Sequence, residues 1–216
     1  MENMIRPWMR ENLRKDCIII EAGTFDGKHS VAFANDFPNS KIYGFEPIDE
    51  LYNRTINLTK RFDNISIEKK ALGSSNRKSD INISKLNGST WASSSLLEPK
   101  EHLTVHTHIS FPEKEQVEVI VLDDWCSENN INKVDFIWLD TQGSEWDIIS
   151  SSPNIISKTK YIYCEVSLKQ MYEGTPLIED FKNKMADLNF EVVFEDLPWE
   201  DMGDILFKNK NIDKLF

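Results

Sequence analysis

Short apolar stretches alternate with amphipathic ones along most of this chain, and this alternation constrains the fold more than any other feature. Strands are predicted at residues 17–21, 41–46, 65–71, 117–122, 134–140, 161–166, 190–195 and 204–208. After an opening helix, further helices are predicted at residues 28–35, 50–61, 144–150 and 177–188. Strands that alternate with helices form a mostly parallel sheet with helices on both faces. The last two predicted strands have no helix between them, which indicates a hairpin-like end to the sheet.

Length and charge limit the possible functions. A chain of 216 residues without a repeat or linker is expected to form a single domain, residues 1–216. The formal net charge of −11 argues against a general nucleic-acid or membrane-surface role, because phosphate groups are bound by basic faces. No apolar run approaches the roughly 18 residues of a membrane helix, and no signal-peptide core opens the chain. Cys17 and Cys164 lie in strand-like runs and are expected to be buried free thiols in a cytoplasmic protein.

One segment, at about residues 74–115, interrupts the alternation. It is polar, rich in Ser, Asn and His, and much longer than an ordinary connection. Connections of this length in compact domains are usually functional loops or disordered segments. We expect this insertion to face the substrate as a mobile lid.

The stretch "CIIIEAGTFDGKHS" has the composition of a ligand-binding turn. A buried strand ends on Glu21 and is followed by Gly23, Thr24 and Gly27 before a predicted helix. A glycine turn between a strand and a helix offers backbone N–H groups and the positive end of the helix to a ligand. In open α/β sheets, ligands bind beyond the carboxyl ends of the strands.

The next strand, "KIYGFEP", ends in an acid at the same predicted edge. Glu46 is placed to accept hydrogen bonds from both ribose hydroxyls of a nucleoside, and Pro47 ends the strand because it lacks a backbone donor. A solvated acid at a strand end is the alternative for Glu46. The turn and Glu46 together predict a cofactor that contains a nucleoside.

Two classes of cofactor fit a glycine turn followed by an acid on the second strand. The turn "EAGTFDG" lacks the third glycine of the dinucleotide pattern, and no Tyr-x-x-x-Lys pair occurs in the chain. S-adenosylmethionine has no pyrophosphate and carries a positive sulfonium, so its turn needs fewer glycines and tolerates acids. The sequence favours S-adenosylmethionine, and a nicotinamide-dependent enzyme remains an alternative.

Seven short motifs occur in order between residues 18 and 209: "IIEAGTFDGKHS", "IYGFEP", "EKKALGSS", "VEVIVLDDW", "VDFIWLDTQGSEWDII", "YIYCEVS" and "GDILFKN". This series resembles the FkbM-type S-adenosylmethionine-dependent methyltransferases. The resemblance implies a Rossmann-like class I methyltransferase fold. In that fold a seven-stranded, mostly parallel sheet has the order 3-2-1-4-5-7-6, strand 7 is antiparallel, and helices cover both faces.

The resemblance also implies roles for individual residues. Glu21, Gly23, Thr24 and Gly27 would form the cofactor turn, and Glu46 with Pro47 would hold the ribose. Ala71 and Leu72 would lie against the adenine, and Asp140 would face the reacting end of the cofactor.

Two positions depart from the family pattern. Glu21 stands where the family usually has Asp, and Gln142 replaces the middle acid of its D-x-E-G-x-E motif. If that acid assists the chemistry or binds a metal in the family, this protein does so differently or not at all.

Methyl transfer needs little from the protein beyond alignment of the reacting groups, because a sulfonium is already a good leaving group. A general base accelerates transfer to a hydroxyl, and Asp140 and Glu165 are the strand-end carboxylates best placed for that role. A structural role for Glu165 is the alternative.

No metal site is predicted. His102, His106 and His108 lie in the polar insertion without a fixed carboxylate-rich partner, so solvated loop histidines are favoured over metal ligands or a base at the site mouth. Trp91 and Trp199 fall in predicted loops, where each either covers the pocket or anchors its own loop.

The sequence therefore predicts methyl transfer from S-adenosylmethionine, most simply to a hydroxyl of a sugar, glycan or other natural product. N-methylation of a peptide or protein side chain is the second possibility, and a non-catalytic nucleoside-binding member is a third. The expected partner is a small-molecule or glycan acceptor, with no nucleic acid and no membrane span. The acceptor itself and the oligomeric state are left open.

Overall fold

The structure is a computed structural model that describes residues 2–211. The strands in chain order are β1 (Ile18–Ala22), β2 (Lys41–Phe45), β3 (Ile65–Glu68), β4 (Ala71–Leu72), β5 (Arg77–Leu86), β6 (Ser89–Thr90), β7 (Ser110–Ile120), β8 (Val134–Leu139), β9 (Thr159–Ser167), β10 (Phe190–Asp196) and β11 (Met202–Asn209). The helices are α1 (Glu2–Asn12), α2 (Lys28–Asp36), α3 (Asp49–Thr59), α4 (His102–Val105), α5 (Leu122–Glu128), α6 (Glu145–Ser151), α7 (Pro153–Ile156) and α8 (Ile178–Asp187).

Seven strands form the main sheet, in the spatial order β10-β11-β9-β8-β1-β2-β3. The pairs among β1, β2, β3, β8 and β9 are parallel, whereas β11 runs antiparallel to both β9 and β10. When the seven strands are numbered along the chain, the order is 3-2-1-4-5-7-6 with an antiparallel seventh strand. The predicted fold class, the sheet order and the hairpin at its end are confirmed.

The central strands are apolar because both faces of the sheet are covered. All six residues of β8 are buried. Phe136 and Trp138 pack with α1 and α2 on one face, and Ile137 and Leu139 pack with α5, α6, α7 and α8 on the other. A strand buried on both faces therefore has a nearly continuous apolar sequence, which is why β8 was predicted well.

A second, four-stranded sheet lies beside the first, in the order β4-β7-β5-β6. This sheet corrects three predictions. The strand predicted at residues 65–71 is two strands in different sheets, β3 and β4. The strand predicted at 117–122 is the end of β7 in the second sheet, and Leu122 already begins α5. Much of the insertion is regular structure, since β5 and β7 pair antiparallel along most of their length.

The strand β5 carries little apolar pattern, which explains why it was missed. On one face Ile81 and Ile83 pack against Val117 and Val119 of β7. On the other face the buried positions are polar, since Asn82 and Ser84 make hydrogen bonds to the segment of residues 91–97. Apolar periodicity detects only strands that bury apolar side chains, so the sequence of β5 shows a weak strand pattern.

Two further findings concern the described residues as a whole. The three cysteines, all within the described residues, are buried and free, as predicted for Cys17 and Cys164. No helix in residues 2–211 is long and apolar enough to cross a membrane.

Candidate active site

The glycine turn after β1 is held against the ends of the two neighbouring strands. The amide nitrogens of Gly23 and Thr24 donate to the carbonyl oxygen of Phe45 at the end of β2, at 3.0 and 3.2 Å. On the other side, the amide nitrogen of Asp140 donates to the carbonyl oxygen of Ala22 at 3.0 Å. The carboxyl ends of β1, β2 and β8 thus meet at one edge of the sheet, where open α/β sheets bind ligands.

A cleft at this edge contains most of the residues predicted to bind a cofactor. Six of them line it: Gly23, Glu46, Pro47, Ala71, Leu72 and Asp140. The other lining residues are Ala22, Phe25, Phe45, Ile48, Leu51, Lys70, Ile81, Trp91, Ala92, Ser94, Leu96, Thr141 and Ser144. We refer to this space as the first cleft. Its walls are mostly apolar and carry the carboxyl groups of Glu46 and Asp140, as is typical of a small-molecule site.

The carboxyl group of Glu46 is fixed by two backbone donors. One oxygen accepts from the amide nitrogen of Phe25 at 2.9 Å and the other accepts from that of Ile48 at 3.1 Å. The residue is 3% exposed. Burial raises the pKa of Glu46 to about 8, against the opposing effect of the two backbone donors. Each carboxylate oxygen has a further lone pair, so Glu46 is able to accept hydrogen bonds from a ligand in the cleft.

Three residues predicted for the cofactor turn, Glu21, Thr24 and Gly27, do not line the first cleft. Glu21 is fully buried behind the turn, where it accepts a hydrogen bond from the Ser30 hydroxyl, and burial raises its pKa to about 7. Thr24 is buried, and its hydroxyl has no partner among residues 2–211. Gly27 packs against Thr55 of α3, and a Cβ atom added to Gly27 would lie 3.0 Å from Cγ2 of Thr55. These three residues belong to the turn and the strand before it but do not reach the first cleft.

A second cavity, of about 500 Å³, lies next to the first cleft. Its walls carry four carboxyl groups, from Asp140, Glu165, Asp201 and Asp204. Its other lining residues are His29, Trp91, Ala92, Ser93, His102, His106, His108, Ile109, Trp138, Gln142, Tyr163, Trp199 and Met202. No lysine or arginine is present among these described lining residues. The cavity is therefore acidic and aromatic, a surface suited to neutral or cationic ligands.

Asp140 belongs to both spaces. It lines the first cleft and the second cavity, as do Trp91 and Ala92. Glu165, the other predicted catalytic carboxylate, lines only the second cavity. The structure therefore brings Asp140 and Glu165 together at one site, with Asp140 at the junction of the two spaces.

One amide group connects these two carboxylates. The Gln142 side-chain nitrogen donates to Asp140 Oδ1 and to Glu165 Oε2, both at 2.9 Å. Burial raises the pKa of both acids, and the pKa of Glu165 is raised further by the charge of Asp140. The hydrogen bond from Gln142 acts in the opposite direction on Asp140.

The loop after β8 takes its shape from Glu145, which sequence reasoning did not select. Its Oε1 accepts from the amide and the hydroxyl of Thr141, at 2.7 and 2.9 Å, and its Oε2 accepts from the amide of Gly143 at 3.0 Å. Burial raises the pKa of Glu145 to about 7. The signal was present, since Glu145 is the last acid of the D-x-Q-G-x-E motif that contains Asp140.

The insertion histidines lie on the wall of the second cavity. His106 Nε2 is 2.7 Å from Asp201 Oδ2, a contact between the insertion and the β10–β11 loop. His102 is buried beside it, and burial lowers its pKa to about 4. Residues 2–211 contain no group of three or more His, Cys, Asp or Glu side chains arranged to hold a metal ion.

Trp91 and Trp199 both border the site, as one of their two predicted roles required. Trp91 is 39% exposed, lies between the two spaces and makes an edge contact with Phe25, with ring centroids 6.1 Å apart. Trp199 is 48% exposed and lines only the second cavity. Mobility of the insertion as a lid stays a prediction.

Several residues of the second cavity were missed because they come from distant parts of the sequence. Tyr163 lies on β9, Asp204 on β11 and Asp201 in the loop that precedes β11. Tyr163 and Asp204 fall within two of the family motifs, but no role was predicted for either residue. The antiparallel pairing of β11 with β9 places Asp204 directly opposite Glu165. Only this pairing reveals that the two acids are neighbours.

Comparison with known proteins gives a consistent result. The family model of the methyltransferase FkbM domain matches residues 9–192. The 2-O-methyltransferase NoeI of Sinorhizobium fredii is 30% identical over 202 residues, which are 92% of this chain and 82% of NoeI.

Solved structures share the fold at much lower sequence identity. Aeropyrum pernix fibrillarin in complex with natively bound S-adenosyl-L-methionine has a TM-score of 0.53 at 11% identity, over 95% of this chain and 74% of that chain. The N-terminal domain of EvdMO1 with SAH bound has a TM-score of 0.51 at 10% identity, over 94% of this chain and 78% of that chain.

Proposed function

This chain belongs to the FkbM family of S-adenosylmethionine-dependent methyltransferases, and we propose that it methylates a hydroxyl group of a sugar, glycan or related natural product. The observation that carries this proposal is the position of Asp140, which borders the first cleft and the acidic second cavity at once. A cofactor in one space and an acceptor in the other would meet at this carboxylate. Membership in the family sets aside the nicotinamide alternative.

The first cleft fits S-adenosylmethionine in its chemistry. Glu46 has lone pairs left to accept from ribose hydroxyls, and Ala71 and Leu72 offer an apolar surface for the adenine. Asp140 supplies negative charge for the methionine end with its positive sulfonium. When bound, S-adenosylmethionine supplies a methyl group that its sulfur releases to a nucleophile.

Asp140 is the base in this proposal. It accepts the proton of the acceptor hydroxyl as the oxygen becomes methylated, a role that contributes roughly 10²–10⁴-fold to the rate. Glu165 lies on the acceptor side, and burial together with the charge of Asp140 raises its pKa well above the ordinary range. In its protonated form Glu165 would serve as a hydrogen-bond donor to the acceptor.

The walls of the second cavity support a polyhydroxylated acceptor. Flat aromatic faces such as those of Trp91 and Trp199 pack against sugar rings, and the acids accept from hydroxyl groups. The name of NoeI, a 2-O-methyltransferase, is consistent with transfer to oxygen. The four carboxyl groups would also hold an ammonium, so N-methylation of an amine is the second candidate.

The test is methyl transfer from labelled S-adenosylmethionine to extracts of the source organism and to a panel of neutral sugars, with the product identified by NMR. We expect an O-methyl product from the wild-type protein, whereas an N-methyl product would favour the second candidate. Asp140→Asn should lower the rate roughly 10²-fold or more, with a near-normal melting temperature and a much smaller loss of cofactor affinity. The exposed Asp187→Asn is the matched control.

Two outcomes would contradict the proposal. Cofactor binding without transfer to any acceptor would indicate a non-catalytic member of the family. Full activity of Asp140→Asn on the true acceptor would remove Asp140 as the base and pass that role to Glu165 or to the insertion histidines.

A further inference from the structure

We propose that Gln142 is a positioning residue that donates one hydrogen bond to Asp140 and one to Glu165 from the same side-chain amide, and so holds the Asp140 carboxyl group at the junction of the two spaces. The catalytic consequence of this inference rests on the proposed methyl transfer. The effect of Gln142 on the pKa values of the two acids does not rest on it, because the titration of these acids is measurable without an acceptor.

The geometry uses every hydrogen-bonding atom of the Gln142 side chain. The two hydrogens of the amide nitrogen point to Asp140 and Glu165, each at 2.9 Å. The amide oxygen lies 3.0 Å from the Tyr172 hydroxyl. The opposite orientation of the amide would place its oxygen between two carboxyl oxygens, where a donor is needed. The surroundings therefore determine which end of the amide faces the acids.

The insertion holds this amide in place. The Ser95 hydroxyl donates to the main-chain oxygen of Gln142 at 2.7 Å. The Tyr172 hydroxyl is also 2.8 Å from the carbonyl oxygen of Ser93, so its single proton is shared between that oxygen and the Gln142 amide. Gln142 is buried, with 7% of its surface exposed. Contacts on three sides thus fix its position.

Two half-buried carboxylates that share one amide would repel each other if both were ionised. Paired acids in such sites usually need a cation or a shared proton. No lysine or arginine is found among the described residues of the second cavity, and the charge of His29, which also lines it, lowers the pKa of Asp140. A neutral amide with two donor hydrogens reduces the repulsion without adding a charge. Its hydrogen bond opposes the effect of burial on the pKa of Asp140.

The presence of Gln142 in place of the family's usual acid therefore has a physical consequence. A glutamate at this position would add a third carboxyl group and, when ionised, would donate no hydrogen bond. The glutamine instead donates one hydrogen bond to each of the other two acids.

The direct test is carbon-13 NMR of side-chain carboxyl groups during a pH titration, with signals assigned from Asp140→Asn and Glu165→Gln. In Gln142→Met both donated bonds are lost, and in Gln142→Asn the amide is too short to reach both acids. We expect the pKa of Asp140 to rise by about one unit or more in these variants, because a charge-assisted hydrogen bond is lost. Tyr172→Phe should give a smaller rise, and the exposed Gln116→Met should give none.

A second readout is the pH profile of kcat/KM. Its acidic limb should move to higher pH by the same amount in Gln142→Met, while the dissociation constant of S-adenosylmethionine stays near the wild-type value. A purely structural residue would lower the rate equally at every pH. A shifted Asp140 titration without methyl transfer to any acceptor would support the role of the two Gln142 hydrogen bonds and contradict the proposed function.

Three outcomes would overturn the inference. One is an unchanged Asp140 titration in a folded Gln142→Met or Gln142→Asn protein. Another is a titration shift of equal size in Gln116→Met. The third is failure of both Gln142 variants to fold, because Gln142 would then be required for the structure itself.

Discussion

Gly23 and Asp140 are in direct contact, and a Cβ atom on Gly23 would overlap the main-chain carbonyl group of Asp140. The backbone of Gly23 also has a φ of 84°, a left-handed conformation that side chains disfavour. The glycine therefore allows the turn after β1 to lie against the end of β8. This contact places the two spaces on either side of Asp140.

We predict that Gly23→Ala separates these two strand ends. The variant should lose most of its affinity for S-adenosylmethionine and have a lower melting temperature, as measured by calorimetry. Gly88→Ala is a matched control, because Gly88 has a similar φ of 82° but no atom within 4 Å of an added Cβ. It should show only the backbone cost of about 1–2 kcal/mol and normal cofactor binding. Equal effects of the two substitutions would mean that the contact with Asp140 is unimportant.

We predict that Glu46 links cofactor binding to pH. Its pKa is raised to about 8 in the free protein, and ribose hydroxyls donate preferentially to the ionised form. Binding should therefore release protons, and affinity should increase as pH rises from about 6 to about 9. Glu46→Gln should weaken binding by about tenfold or more at the upper end of this range and flatten the pH dependence.

Isothermal calorimetry in buffers of different ionisation enthalpy measures both quantities, and the exposed Glu191→Gln serves as the control. Wild-type affinity with an unchanged pH dependence in folded Glu46→Gln would rule out the ribose contact.

We predict that the two exposed tryptophans act on different ligands. Trp199 lines only the second cavity, so Trp199→Ala should raise the KM for the acceptor about fivefold or more and leave cofactor affinity unchanged. Trp91 lines both spaces, so Trp91→Ala should weaken both ligands. Each variant is the control for the other, in parallel binding and steady-state measurements. A change in cofactor affinity in Trp199→Ala would contradict the assignment of the two spaces.

We predict that Glu21 makes the fold less stable at higher pH. Burial raises its pKa from 4.5 to about 7, so between these values the folded protein holds a proton that the unfolded chain has lost. The free energy of unfolding should therefore fall as pH rises through this range. Glu21→Gln removes this linkage. Between about pH 5 and pH 8 its free energy of unfolding should fall by about 1–3 kcal/mol less than that of the wild-type protein.

Urea denaturation at several pH values measures this slope, with the exposed Glu128→Gln as the reference substitution. If wild type and Glu21→Gln have parallel stability profiles, Glu21 does not carry the proton.

The sequence by itself determined the main sheet and the first cleft. Apolar runs such as "VDFIWLD" mark strands buried on both faces, and the strand ends carry Gly23, Glu46 and Asp140 within local motifs. Local apolar patterns encode which residues leave water, and in an open α/β sheet the ligand edge follows from strand direction alone. The order of the strands came from the family resemblance, which adds information that periodicity lacks.

The second sheet, the second cavity and the Gln142 bridge were decided only by the tertiary structure. The strand β5 buries Asn82 and Ser84 through hydrogen bonds whose partners are fixed by the fold and leave no periodic signal. Glu165 becomes a neighbour of Asp204 through antiparallel pairing, and of Gln142 through the loop after β8. A sequence records which groups are polar, whereas the distance between groups far apart along the chain depends on how the whole chain packs. The energies of such contacts depend on that distance and on burial, so the chemistry of this site becomes visible only in three dimensions.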